Sequence, residues 1–426
     1  MKKPLLLVAC LVLLFALAGI AWADGEITVV QDKVTAKFQE QITFALEAKS
    51  ATSDISRITL YYQLGNQPVT SYAYPKFDPG RTVKSEHVWD TKKSYVPPGV
   101  TLTYYYLIED GESHQLKTAP KTFLYTDTRH TWRAQGSGPL SLNWYQGTDS
   151  FGQALFDAAK TGLAQLEKDA GITVRLPVSI WIYPSYDELR GSMEKGAKEW
   201  TGGVSYSDMG VILIGVPEDR LSWGKRAVAH ELSHVVIDQA TQNPFGDLPR
   251  WLNEGLAMYA EGPLESEYST SVSRAAQQDK LLSLKTLSSN FPSDSAQATL
   301  SYAESYSVVK YLIDTYGRDK MAQLLGVFKE GSTYDGALRK TYGLTTDELD
   351  TAWRSSLGIK SQPAPTATPR PRVTPAPTQE SPFANLPGLP GNAVILALCL
   401  GGGCLVVATL ALALIVYLAM RSNRRR

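Results

Sequence analysis

The sequence predicts an α+β chain in which an antiparallel β-sandwich precedes a mostly helical domain that carries a small sheet. Three observations lead there. Residues 24–128 alternate apolar and polar side chains in short runs about ten residues apart, broken by turn-forming pairs; residues 129–360 change to longer helical periods; and both ends of the chain are apolar or proline-rich.

The elements follow in chain order. Residues 1–23 place Lys2 and Lys3 before an apolar run from Leu5 to Ile20, then Ala21, Trp22 and Ala23 before Asp24, which is the order of a secretory signal peptide. The lipoprotein-like box Leu7 to Cys10 would leave a long apolar stretch behind it and is set aside. Strands are expected at 27–30, 34–38, 42–46, 58–64, 82–89 and 101–110. In length and rhythm this part resembles the immunoglobulin and fibronectin type III class. Its histidines, His87 and His114, show no metal-ligand spacing and are read as ordinary polar residues. After a glycine-rich junction at 135–139, Phe151 to Ala170 reads as an amphipathic helix and 177–183 as a strand. A further strand at 210–216 could be the edge on which an extended peptide lies. From Ser222 onward the pattern is nearly all helix.

Residues 361–391 hold nine prolines, a composition that cannot bury a core and prefers an extended stalk. Residues 392–420 are free of charged side chains and long enough to span a bilayer, and the basic tail 421–426 closes the chain. The expectation is a single-pass membrane protein, its N-terminal ectodomain outside the cell membrane and its C-terminus in the cytoplasm. The lack of cysteines and of N-glycosylation acceptors in the outward part leans towards a prokaryotic source.

Charge narrows the function. Lys plus Arg and Asp plus Glu both number 42, so there is no basic excess of the kind that binds nucleic acid. Setting aside the six basic residues at the extreme ends leaves 36 basic against 42 acidic in between. The three cysteines, Cys10, Cys399 and Cys404, sit in the apolar end segments, so neither a disulfide nor a cysteine ligand serves the middle of the chain.

The chemistry concentrates at His230-Glu231-Leu232-Ser233-His234. On a helix, positions four apart share a face, so both imidazoles can reach one ion while Glu231 projects beside them towards a water on that ion. With five histidines in the chain, chance H-x-x-x-H pairs number about 0.06 before the glutamate is required. A catalytic zinc needs a third protein ligand and an open position. Glu254, in a helix capped by Asp247, is the candidate; Glu261, Glu265 and Glu267 are its rivals. Gly255 inside that helix implies close packing against the histidine helix. Asp238, one turn beyond His234, is either its orienting partner or a helix-end surface carboxylate.

The segment W-L-N-E-G-L-A at 251–257, together with H-E-L-S-H, resembles the gluzincin metallopeptidases, in particular the M1-type aminopeptidases and the smaller prokaryotic peptidase MA-like domains. The resemblance covers about residues 222–357. It implies that His230, His234 and Glu254 bind one Zn2+ and that Glu231 is the general base for peptide-bond hydrolysis. A later segment, Ser301 to Val308, is similar to the M1-type S-Y-x-K-G-x-S-V, whose tyrosine helps hold the tetrahedral intermediate. Tyr302 takes that position, Tyr306 is its rival, and Glu304 and Ser305 depart from the Lys-Gly of the pattern. The aminopeptidase G-x-M-E-N segment is missing at 202–210, which favours an endopeptidase acting on a peptide or protein substrate. The competing reading is a cell-surface binding module with a peptidase-like fold that does not cleave.

Overall fold

The computed structural model describes residues 26–194, 202–292 and 294–358. The expected signal peptide, stalk, transmembrane helix and basic tail lie outside the described residues. Among those described, no helix is long and apolar enough to cross a membrane.

Two antiparallel sheets form the N-terminal part. The first has the order β1 (Ile27–Lys37), β2 (Gln41–Ser50), β5 (Thr82–Asp90). The second has β4 (Ser71–Ala73), β3 (Ile55–Leu64) and β6 (Thr101–Asp110), with β7 (Gln115–Lys117) and β8 (Lys121–Leu124) both pairing with β6. Alternation explains the burial: Ile42, Phe44, Leu46 and Ala48 of β2 and Leu102, Tyr104, Tyr106 and Ile108 of β6 point into one shared interior. Phe44 and Tyr104 meet edge to face across it, 5.4 Å apart. The runs expected at 27–30 and 34–38 are one strand, joined through a register shift between Val29 and Gln31 that turns Val30 outward.

A third, mixed sheet follows, ordered β12 (Gly203–Tyr206), β13 (Val211–Gly215), β11 (Val178–Tyr183), β10 (Leu140–Trp144), β9 (Arg133–Ser137). The run at 210–216, expected as an edge, is interior: β13 pairs with β11 in parallel and with β12 antiparallel, and the edge is β12. Burial on both faces is the reason, because all five β13 residues are covered. Ile180, Ile182, Ile212 and Ile214 face the helices, whereas Trp181, Tyr183, Val211 and Leu213 join the interior of the N-terminal sheets.

The helices are α1 (Asp149–Ala170), α2 (Tyr186–Arg190), α3 (Leu221–Thr241), α4 (Arg250–Ala260), α5 (Ser266–Gln277), α6 (Leu284–Leu287), α7 (Ser295–Tyr316), α8 (Arg318–Lys329), α9 (Tyr334–Tyr342) and α10 (Thr346–Ser356). The chain is thus a mixed α/β fold, with antiparallel sheets first and a helical region last. Helix α4 begins after Pro249, whose fixed φ suits a helix start, and Asp247 does not cap it. Gly255 packs against α7 rather than against the histidine helix: a Cβ there would lie 2.4 Å from Ser305 O and 2.6 Å from Val309 Cγ2.

Candidate active site

Helix α3 carries His230 and His234 one turn apart, with Val228, Leu232, Val235 and Val236 buried on its inner side. The imidazoles stand nearly perpendicular, and their Nε2 atoms are 3.2 Å apart. Helix α4 brings Glu254 to them, with Oε2 3.5 Å from each Nε2. Glu254 is 6% exposed, and this Oε2 is shut off from solvent with no hydrogen-bond partner.

The outer nitrogens are held as well. His230 Nδ1 donates to Glu261 Oε1 at 2.8 Å, and His234 Nδ1 donates to Asn253 Oδ1. Acceptors on both Nδ1 atoms leave the Nε2 lone pairs pointing inward, the state in which imidazoles bind metal. Glu261 is itself fixed by Arg226, whose Nε and Nη2 both lie 2.9 Å from its Oε2. With no cation bound, burial lowers the His230 pKa but the facing carboxylates of Glu254 and Glu261 outweigh it and raise it to about 10, so a cation entering here displaces a proton from Nε2. Burial likewise raises Glu254, yet His230, His234 and Arg250 pull it down to about 2. Two inward nitrogens and one partnerless carboxylate oxygen, with ligand atoms all within 4.8 Å of one another, fit a divalent cation of the zinc type. Among the described residues no other group of His, Cys, Asp and Glu meets that test.

Glu231 projects from the other flank of α3 onto the edge strand: a Cβ on Gly203 would lie 3.1–3.3 Å from its Cγ, Oε1 and Cδ. Any side chain at 203 would press on this carboxylate. Tyr302, on α7, has its ring 6.3 Å from that of His230 and meets Phe291 edge-on at 5.1 Å. Burial and the charge of Glu254 push its hydroxyl up to about 12. Its rival Tyr306 packs on Tyr259, at 5.9 Å. Glu304 lies outside the cluster: it is buried, both its oxygens accept the Leu282 N–H at 3.1 Å, and burial raises its pKa to about 8.

A cleft of about 670 Å³ opens beside the cluster, lined by His234, Glu254, Asn253, Arg250, Asp238 and Asp247 among others. Asp238 does not hold His234, whose Nδ1 is taken by Asn253. Of the rivals for the third ligand position, Glu261 binds the back of His230, and Glu265 pairs with Arg226. Asn253, Arg226 and Arg250 have no role in the sequence-based reading. Asn253 stands within the W-L-N-E-G segment, and Glu261 lies two turns beyond Glu254, which were the available signals.

Comparison with known proteins places this region. No curated protein matches. Among solved structures, an aminopeptidase N family protein from Idiomarina loihiensis is a weak match, 10% identical over 76% of this chain and 72% of that one, with a TM-score of 0.32. OgpA from Akkermansia muciniphila, crystallised with an O-glycopeptide substrate, is 14% identical over 24% of this chain and 29% of its own, with a TM-score of 0.19. A Bacillus cereus polysaccharide deacetylase is 8% identical over 39% of this chain and 57% of its own, also at 0.19. The chain therefore spans under a third of OgpA and under three fifths of the deacetylase. The model of the Peptidase MA superfamily matches residues 158–359, and this stretch, which contains His230, Glu231, His234, Glu254 and Tyr302, is a Peptidase MA superfamily domain.

Proposed function

We propose that this chain is a zinc-dependent metallopeptidase of the gluzincin type, an endopeptidase anchored by its C-terminal segment and facing outward. The observation that carries the reading is the meeting of His230, His234 and Glu254 around one point, with both outer nitrogens held by acceptors. When bound there, zinc supplies Lewis acidity that polarises a scissile carbonyl and lets water attack near neutral pH.

The remaining roles belong to the chain. The outer edge of β12 has no strand partner among the described residues. Its backbone groups offer pairing to an extended peptide, which then runs past Glu231. Glu231 takes the proton of the attacking water and passes it to the leaving amine. Tyr302 stays protonated at neutral pH, since its pKa is pushed up to about 12, and donates a hydrogen bond where the oxyanion forms. The two N-terminal sheets are read as an immunoglobulin- or fibronectin-like sandwich that precedes the peptidase region, and the proline-rich segment 361–391 as a stalk.

The test is elemental analysis of the purified chain beside its Glu254→Ala and Glu231→Gln variants, followed by peptide hydrolysis assays. About one zinc per wild-type chain, its loss in Glu254→Ala, and zinc-replete but inactive Glu231→Gln are expected. A Glu231→Gln variant with full activity would refute the base assignment.

A further inference from the structure

Arg250 opens α4 one turn before Glu254 and lines the cleft. Its Nη2 lies 2.9 Å from Glu254 Oε1, whereas Glu254 Oε2 faces the two imidazoles. One carboxylate thus serves opposite partners with its two oxygens. The terminal torsion of a glutamate is soft and close to two-fold, so an unrestrained Glu254 could turn either oxygen, or both, to a cation. The guanidinium removes that freedom.

The guanidinium is itself held. The Phe291 ring lies under it, 5.2 Å from Cζ, and Asn290 Oδ1 is 3.5 Å from Nη1. Its Nε is sealed from solvent without a partner, and the fork turns Nη2 to Glu254 and Nη1 towards Asn290. The planar fork matters, because a lysine ammonium is a point charge that cannot fix the plane of a carboxylate.

We propose that Arg250 is a positioning residue: by holding Glu254 Oε1 it presents a single oxygen, Oε2, to the bound metal. This rests on reading His230, His234 and Glu254 as the metal site. The full-length wild type, Arg250→Met and Arg250→Lys are compared in two measurements: zinc affinity by competition with a chromophoric chelator, and the visible spectrum after loading with Co2+ alone. Arg250→Met is expected to weaken zinc binding about 10- to 100-fold and to change the intensity of the cobalt bands. Arg250→Lys is expected to recover part of the affinity but not the wild-type spectrum. Wild-type affinity and spectrum in folded Arg250→Met overturn the proposal. Where Arg250→Met does not fold, the lysine variant decides: an altered spectrum supports the proposal and an unaltered one overturns it. A wild type that takes up neither metal overturns the metal-site reading and this proposal with it.

Discussion

Gly255→Ala pits two known effects against each other beside the site. In a free helix the change is stabilising by about 1 kcal/mol. In this fold the new Cβ would meet Ser305 O at 2.4 Å, Val309 Cγ2 at 2.6 Å and Ser305 C at 2.8 Å. Two of those atoms are backbone of α7, and Val309 is fully buried and β-branched, so no flexible tip can swing aside. Overpacking of this kind costs about 1–3 kcal/mol, and a backbone clash belongs at the upper end. The clash wins, leaving a net destabilisation of about 2 kcal/mol, or about 4–8 °C in Tm for a domain of this size. Because Glu254 is the preceding residue, zinc affinity at the proposed site is expected to fall as well. Urea denaturation and zinc titration measure both effects. Gly326→Ala, in the interior of α8 with no heavy atom within 4 Å of the added carbon, is the control and is expected to stabilise by up to about 1 kcal/mol. Stabilisation by both substitutions would mean that helix propensity alone decides and that the α4–α7 contact is not as close as described.

Two further outcomes follow from the same geometry. Burial holds the Glu304 pKa near 8 against its ordinary 4.5, so the folded state keeps a proton that the unfolded chain gives up. Stability is then full below about pH 4.5 and declines towards pH 8 at up to about 1.4 kcal/mol per unit. Urea midpoints at pH 5 to 8 should fall in the wild type and stay flatter in Glu304→Gln; parallel curves would contradict the assignment. Glu261→Gln removes the carboxylate behind His230 and is expected to lower zinc affinity about 10- to 100-fold, read by chelator competition, with unchanged affinity showing that His230 needs no such support.

The fold was legible where periodicity is strict. Alternation in 42–46 and 101–110 named both the strands and their inward faces. It failed in β1, where one bulged residue breaks the period of two and made one strand read as two. At 210–216 the strand itself is found but not at an edge, and the unbroken apolar run Val211 to Ile214 is the mark of a strand covered on both sides. No short-range pattern reveals that the back of this sheet, through Trp181, Tyr183, Val211 and Leu213, completes the interior of the N-terminal sheets. That pairing depends on contacts between segments about a hundred residues apart.

The site shows the same division more sharply. Helical spacing alone puts His230 and His234 on one face, but what they need from elsewhere is not encoded in spacing. Helix α4 supplies nearly all of it: Glu254 faces both imidazoles, Asn253 takes the back of His234, Arg250 holds the outer oxygen of Glu254, and Glu261, at the C-cap, takes the back of His230. One short rigid element therefore fixes the proposed third ligand position and both outer acceptors together, which makes the docking of α4 on α3 and α7 the variable on which the site depends. Losing a single acceptor releases one imidazole, whereas shifting α4 moves every one of these contacts. Gly255→Ala, which touches none of the ligands, is accordingly expected to cost more zinc affinity than Glu261→Gln, and the reverse order would mean that the contacts act separately.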